Sequence, residues 1–366
     1  MKITGAESFI LDIPIGREIA DSMQSVTRLE FVGLRIATDE NIHGTGYTVT
    51  VGHGGQVIRS VLDTLFIDEL TGRDPFDVKA VWQQLYFGKS HWIGRAGATT
   101  MAQAAVDIAL WDIVAKAAGK PLWQLLGGAR PHEIPIYNTH AGWLNYSIAQ
   151  LRDEASRLLD QGYTALKMKV GLDDTREDLR RVEAVRKTIP DDALLMVDAN
   201  QKWDLQQAQL ALRLLSGLDL SWVEEPMHPD DVKAHVSLHR RSTLPIALGE
   251  HVYTTHAFRD YIEREAVDVV QVDVCRIGGI TPWLEVAALA NTANLRVCPH
   301  AGDLMQVHQH MVKAIPNHWL LEVIPIWQTS PFKTPVQLAD GKCLTPTAPG
   351  ASTDFTREAF ERFRVA

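Results

Sequence analysis

Three stretches decide the fold: Thr164–Val170 (TALKMKV), Ala193–Asp198 (ALLMVD) and Leu220–Glu224 (LSWVE). Each is a short apolar run that carries or ends on charge, and an amphipathic segment follows before the next begins. The same texture starts at Glu133–Asn138 (EIPIYN). It continues through Leu244–Glu250 (LPIALGE), Val267–Asp273 (VDVVQVD), Leu295–His300 (LRVCPH) and Trp319–Val323 (WLLEV). The spacing is roughly 25–30 residues, the length of one strand–helix unit. Eight such strands with helices between them argue for an α/β fold with a closed parallel barrel rather than an open sheet.

The residues before the barrel read differently. Lys2–Ile15, Phe31–Thr38 (FVGLRIAT) and Gly44–Val49 are strands, and Gly16–Arg28 and Val51–Gly55 (VGHGG) are loops. Residues 56–126 are helical. Thr99–Ala118 is alanine-rich and apolar on most of its circumference, which predicts a buried helix ending at Gly119 and Pro121. Gly127–Gly128 marks a boundary. Residues 326–366 leave no room for a further set of strand–helix units.

Composition excludes several classes. With 366 residues the chain is long enough for a large barrel plus an accessory domain. Apolar residues are 46% and charged residues 22%, as in folded proteins, which argues against a disordered scaffold. The net charge of −9 gives no electrostatic reason for a nucleic-acid partner. No apolar run is long enough to span a membrane. Three scattered cysteines (Cys275, Cys298, Cys343) make no disulfide framework, and the first residues lack the apolar core of a signal peptide. The expected compartment is the cytoplasm.

Polar residues recur where the strands end: Lys167 and Lys169, Asp198 and Asn200, Glu224, Glu250, Asp273, His300, Glu322. Strand C-termini of a barrel share one mouth, so these residues converge. Asp198, Glu224 and Glu250 end three successive strands. Such carboxylates repel one another unless a divalent cation joins them, and an all-oxygen set favours magnesium, with manganese as alternative, over zinc. Lys167 and Lys169 sit two apart, so both point inward. The first is expected to lower the pKa of the second towards that of a general base. Asp273 beside His300 would orient the imidazole and raise its basicity. Glu322 is expected to be a protonated acid able to donate to a developing enolate. One metal ion, a lysine and a distant histidine make a site for removing a proton next to a carboxylate.

At this point the sequence resembles the enolase superfamily, in its mandelate racemase subgroup. The matching motifs are Lys167–Met168–Lys169, Val197–Asp198–Ala199–Asn200, Val223–Glu224–Glu225–Pro226, Gly249–Glu250–His251, Asp273 with Arg276 and Gly278–Gly279, Pro299–His300–Ala301–Gly302, and Glu322. The resemblance implies an α+β capping domain over 1–126, a modified (β/α)7β TIM barrel over 127–325, and a segment 326–366 packing back on the cap. It implies one Mg2+ per chain on Asp198, Glu224 and Glu250. Lys169 would be the base on one face, assisted by Lys167, and Asp273–His300 would serve the other. Glu322 would hydrogen-bond the substrate carboxylate. The Gly–Glu–His and Cys–Pro–His–Ala–Gly stretches look most like sugar-acid dehydratases such as L-fuconate dehydratase. The alternative is a racemase, epimerase or lactone cycloisomerase, which the 46–55 loop somewhat resembles. Polar candidates for contacting a hydroxylated substrate are Asn200, His251, His140, Asn138 and Trp143 at the barrel mouth. Arg17, Arg28, His53, His91 and Arg95 are the candidates on the cap. The partner implied is a small-molecule sugar acid, and the family tendency is a homo-oligomer.

Overall fold

Three antiparallel strands open the chain: β1 (Ile3–Ala20), β2 (Ser25–Thr38) and β3 (His43–Thr50). The computed structural model describes residues 1–128 and 132–365. Gly16–Arg28, expected as a loop, belongs instead to a long hairpin whose turn is only 21–24. The pairing register breaks between Pro14 and Ile19, so a polar bulge interrupts the alternation that would have marked a strand. Ile13, Ile15, Ile19, Val26 and Leu29 are buried.

The helix Ala98–Ala117 is buried along almost its whole length, as its composition predicts. Strand β3 lies directly on it. A Cβ at Gly46 would stand 1.9 Å from the Ala105 carbonyl oxygen, so only glycine permits this approach. The helix also meets the barrel. Asp107 accepts hydrogen bonds from the Thr281 hydroxyl (2.6 Å) and amide (3.0 Å).

All eight barrel strands form where the apolar runs stand. They are β4 (Ile134–Gly142), β5 (Ala165–Lys169), β6 (Leu194–Asp198), β7 (Leu220–Glu224), β8 (Ile246–Leu248), β9 (Val269–Val270), β10 (Arg296–Val297) and β11 (Leu321–Val323). Each pairs in parallel with the next from β4 to β10. β11 pairs with β4, and a parallel bridge from Val297 to His318 closes the ring. Helices return the chain between strands, and several start on side-chain caps. Ser147 with Gln150 and Asp204 with Gln207 form reciprocal capping boxes. A short hairpin, β12 (Leu338–Ala339) and β13 (Lys342–Cys343), adds antiparallel to the start of β4. The chain then returns to the cap, where Phe355 and Phe360 pack edge-on against Phe9 at 5.7 and 5.1 Å. Among the described residues no helix is long and apolar enough to cross a membrane.

Inside the barrel the two-residue period of a strand sets the site. One cluster takes a residue from every strand or its flank: Tyr137, Ala165, Met196, Trp222, Ala247, Val269, Cys298 and Leu320. This apolar plug closes the floor. Two residues further along each chain, on the same face, stand Thr139, Lys167, Asp198, Glu224, Gly249, Gln271, His300 and Glu322. The chemistry is therefore one layer above the plug.

Candidate active site

Lys167 is fully buried and surrounded by carboxylates. Its Nζ donates to Glu224 Oε1 and Oε2 (2.7 and 2.8 Å), lies 2.7 Å from Glu322 Oε1, and is 3.7 Å from Asp198 Oδ2. Lys169, one turn of the pleat higher, donates to Asp198 Oδ2 at 2.5 Å and stands 5.4 Å from the Trp143 ring centre.

These pairings overturn two electrostatic expectations. Burial lowers the pKa of Lys169 and Lys167 lowers it further, but Asp198, with Glu250 and Glu224 behind it, outweighs both and holds the ammonium above its ordinary range. Glu322 was expected as a protonated acid. Burial pushes its pKa up, yet Lys167 and then His300 pull it down to about 2, so it is an ionised partner of Lys167. Its Oε2 accepts from the Ala301 amide at 2.7 Å, and its Oε1 accepts from the Thr139 hydroxyl.

Asp198, Glu224 and Glu250 come together as the register of β6 to β8 requires. One oxygen from each lies within 4.8 Å of the others. Glu250 is one residue out of phase with the inward face and is turned in by Gly249, whose φ is 151°. A Cβ there would stand 2.6 Å from the Gln271 carbonyl carbon. The three carboxyls differ. Asp198 is held at about 2 against the push of burial, chiefly by Lys169 and Lys167. Glu224 is raised well above the usual range by burial and then by Asp198. Glu250 is raised by burial but brought below its ordinary value by His300 and His251. Glu250 Oε2 is buried without a hydrogen bond among the described residues. A cluster of hard oxygen donors, one of them without a hydrogen bond and facing only the His300 ring at 3.3 Å, fits a divalent cation.

Across the mouth, His300 Nδ1 bonds Asp273 Oδ2 at 2.7 Å. Asp273 Oδ1 accepts from the Cys275 and Arg276 amides (2.6 and 3.2 Å) and so caps the short helix Val274–Ile277. Burial opposes charge on His300, but Glu250 and the bond to Asp273 win and raise its pKa to about 10. Its Nε2 is left on the cavity side, 3.3 Å from Glu250 Oε2.

Lys169, Glu250, Asp273 and His300 line one cavity of about 500 Å³ that is closed on the far side by the cap. Asn200 and His251 line it too. His251 is held by Glu225 at 2.8 Å. The other candidates fall elsewhere. Asn138 and His140 lie on the outward phase of β4, where the Asn138 side chain accepts from the His140 amide and His140 Nδ1 accepts from Trp143. Arg17 lies over the Tyr146 ring in a separate cleft with His140. His53 is exposed, Arg28 is tied to Asp12, His91 is exposed beside Gly88, and Arg95 lies over Tyr86 and Phe87. None of these seven lines that cavity, whereas Trp143 does. The sequence reading missed Gln271, which donates to Glu224 Oε2 at 2.6 Å, and Thr139. The signal was present in the alternation of VDVVQVD, which puts Gln271 on the face of Asp273.

Comparison with known proteins agrees with this geometry. The sequence matches the mandelate racemase/muconate lactonizing enzyme N-terminal domain over residues 8–127 and the enolase C-terminal domain-like family over 150–359. It is 35% identical to a 3,6-anhydro-α-L-galactonate cycloisomerase of Streptomyces coelicolor, covering 96% of this chain and 97% of that one. It is 32% identical to an L-talarate/galactarate dehydratase of Salmonella typhimurium, covering 90% and 83%. Among solved structures, a Streptomyces coelicolor racemase with bound magnesium superposes with a TM-score of 0.92 at 34% identity, covering 99% of this chain and 100% of that one. An L-talarate dehydratase from Polaromonas sp., complexed with Mg and L-glucarate, gives 0.92 at 33%, covering 100% and 98%. With both halves matched, and with strand-end carboxylates, lysines and a histidine dyad in one mouth, the chain belongs to the enolase superfamily, in its mandelate racemase subgroup.

Proposed function

We propose that this protein removes the α-proton of a sugar acid and expels the oxygen substituent on the β-carbon, giving a 2-keto-3-deoxy acid. One observation carries the reading: Lys169 and His300 open into the same cavity from strands on different sides of the mouth. The Asp198–Glu224–Glu250 cluster stands on the strands between them. The oxygen donors fit magnesium, the ion named for the similar racemase and dehydratase structures.

Asp198, Glu224 and Glu250 would hold magnesium, which would supply positive charge for the substrate carboxylate and for the negative charge that builds up as the α-proton is removed. Lys169 takes that proton, once substrate and cation compete with it for Asp198. Lys167, fixed between Glu224 and Glu322, keeps a cation at the carboxylate end. His300, oriented through Nδ1 by Asp273, presents Nε2–H to the departing oxygen as general acid. When that oxygen is a free hydroxyl, water leaves. When it belongs to an ether ring, the ring opens and the reaction is an isomerisation.

A second reading, racemisation or epimerisation, uses the same pair: one group removes the proton and the other returns it on the opposite face. Proton NMR of the protein with magnesium and a panel of sugar acids in D2O separates the two. A keto-deoxy product is expected. Deuterium at the α-carbon without a keto acid selects the second reading, and no exchange with any acid rejects both.

A further inference from the structure

We propose that the acid taken by this site carries a single carboxylate and that its far end is uncharged and poor in hydroxyls. The inference rests on the proposed function, which places the reacting carboxylate at Asp198, Glu224 and Glu250. The remainder of the molecule must then extend towards the cap.

The cap wall is apolar. Ile15, Ile19, Val26, Leu29, Val49 and Val51 line it, and Leu304, Met305, Ile324 and Ile326 continue the same surface beside the barrel. No lysine, arginine or histidine of the cap lines the cavity among the described residues. The one charged cap residue that does is Asp21, in the hairpin turn, whose Oδ1 accepts from the Met23 and Gln24 amides. A second carboxylate would meet aliphatic groups and a like charge. Losing its hydration there without a cation is unfavourable. The cations that do line the cavity belong to the barrel. Lys169 faces Asp198, His251 faces Glu225, and His300 faces Asp273. Arg276, at the root of that dyad, also lines the cavity, but its Nη1 is turned to the sulfur of Met101 at 3.3 Å, a residue of the helix Ala98–Ala117 that does not line the cavity. Hydroxyls fare little better than a carboxylate, because the cap wall offers few polar side chains to receive them: Gln24, Thr50 and Asp21.

The test compares two six-carbon acids of the same configuration, a 6-deoxy-aldonate and the corresponding aldarate, with the full chain and magnesium. Turnover is followed by NMR. Binding of each acid to Lys169→Ala is followed by calorimetry, which needs no turnover. The expected result is a kcat/KM and an affinity for the monoacid greater by about 100-fold. Leu29→Arg, or Met23→Arg at a hairpin position 64% exposed and therefore tolerant of the change, should raise the diacid's affinity about tenfold. A wild-type protein that turns over or binds the diacid within tenfold of the monoacid overturns the inference and leaves the proposed function standing. Tight monoacid binding to Lys169→Ala, with no exchange by the wild-type protein, supports the inference and overturns the proposed function. Absence of both binding and exchange overturns both.

Discussion

At the barrel end of the cavity, one buried ammonium, Lys167, meets Glu224 and Glu322 at 2.7 Å, and every neighbouring carboxyl has its own partner or an open oxygen. At the cap end, a few ångströms of aliphatic side chain from a bulged hairpin form the wall. The first surface is built from eight strand ends in fixed register, so each polar atom is placed by the sheet. The second hangs from a single hairpin and places bulk rather than charge. The contrast assigns chemistry to the barrel and selection to the cap, and each variant below tests whether that division holds.

The largest effect is expected at Lys169. Lys169→Ala should lower α-deuterium exchange and product formation by about 10³–10⁴-fold, with an unchanged circular dichroism spectrum. Glu224→Gln should weaken magnesium binding by more than the roughly 10–100-fold that loss of an outer partner costs a metal site. Full exchange in the first variant, or undiminished magnesium binding by calorimetry in the second, would place the chemistry elsewhere.

The barrel surface was legible in sequence because its placement depends on local regularities. An apolar run ending in charge recurs along the chain, and the two-residue period carries Ala165 to Lys167, Met196 to Asp198 and Trp222 to Glu224. Polarity without that period misleads. Asn138 and His140 stand out in the sequence by polarity, yet Tyr137 and Thr139 occupy the inward phase of β4. Arg17 and His53 stand out the same way on the cap. Which side of a hairpin faces a cavity depends on register and on docking to another domain, and a bulge at Gly16–Glu18 hides the alternation of β1. Lys169 shows a third limit. Its neighbour Lys167 is visible in sequence, but the 2.5 Å contact with Asp198 that outweighs it joins two strands 29 residues apart.

An intermediate effect is expected for Asp273→Asn. The amide can present its N–H to His300 Nδ1, which leaves the ring as a neutral imidazole with its proton on Nε2, a far weaker acid than the imidazolium that the Asp273 carboxylate stabilises. Formation of the keto-deoxy product should fall by about 10²-fold or more, while exchange catalysed from the Lys169 side falls less. Equal losses in both readouts would mean that His300, not Lys169, removes the proton. On the cap wall, Leu29→Ala should raise KM several-fold and leave kcat within about threefold, because it removes contact area rather than a reacting group. A loss of kcat there as large as that at Asp273 would end the division between the two walls.

The smallest effect on turnover is expected where the two walls are fastened together. Asp107, on the cap helix Ala98–Ala117, is fully buried against Thr281 of the barrel. Burial raises its pKa to about 7, although the Thr281 hydroxyl and amide bonds pull it down. In the unfolded chain the group titrates near 3.8. Below about pH 4 both states hold the proton. Between about 4 and 7 the folded protein keeps a proton that the unfolded chain has released, so this residue's contribution to stability falls as pH rises through that window and is flat above it. The full change is on the order of a few kcal/mol. In Asp107→Asn the amide oxygen can still accept from the Thr281 backbone, its N–H2 can donate to the hydroxyl, and no proton is exchanged. The melting temperature of Asp107→Asn should therefore gain on the wild-type value between pH 5 and 7 and hold a constant difference from pH 7.5 upward, with kcat at pH 7.5 within about twofold. Parallel melting curves across the whole range would mean that Asp107 is ionised in the folded protein throughout. The cap would then be held to the barrel by a charged acceptor rather than a neutral one.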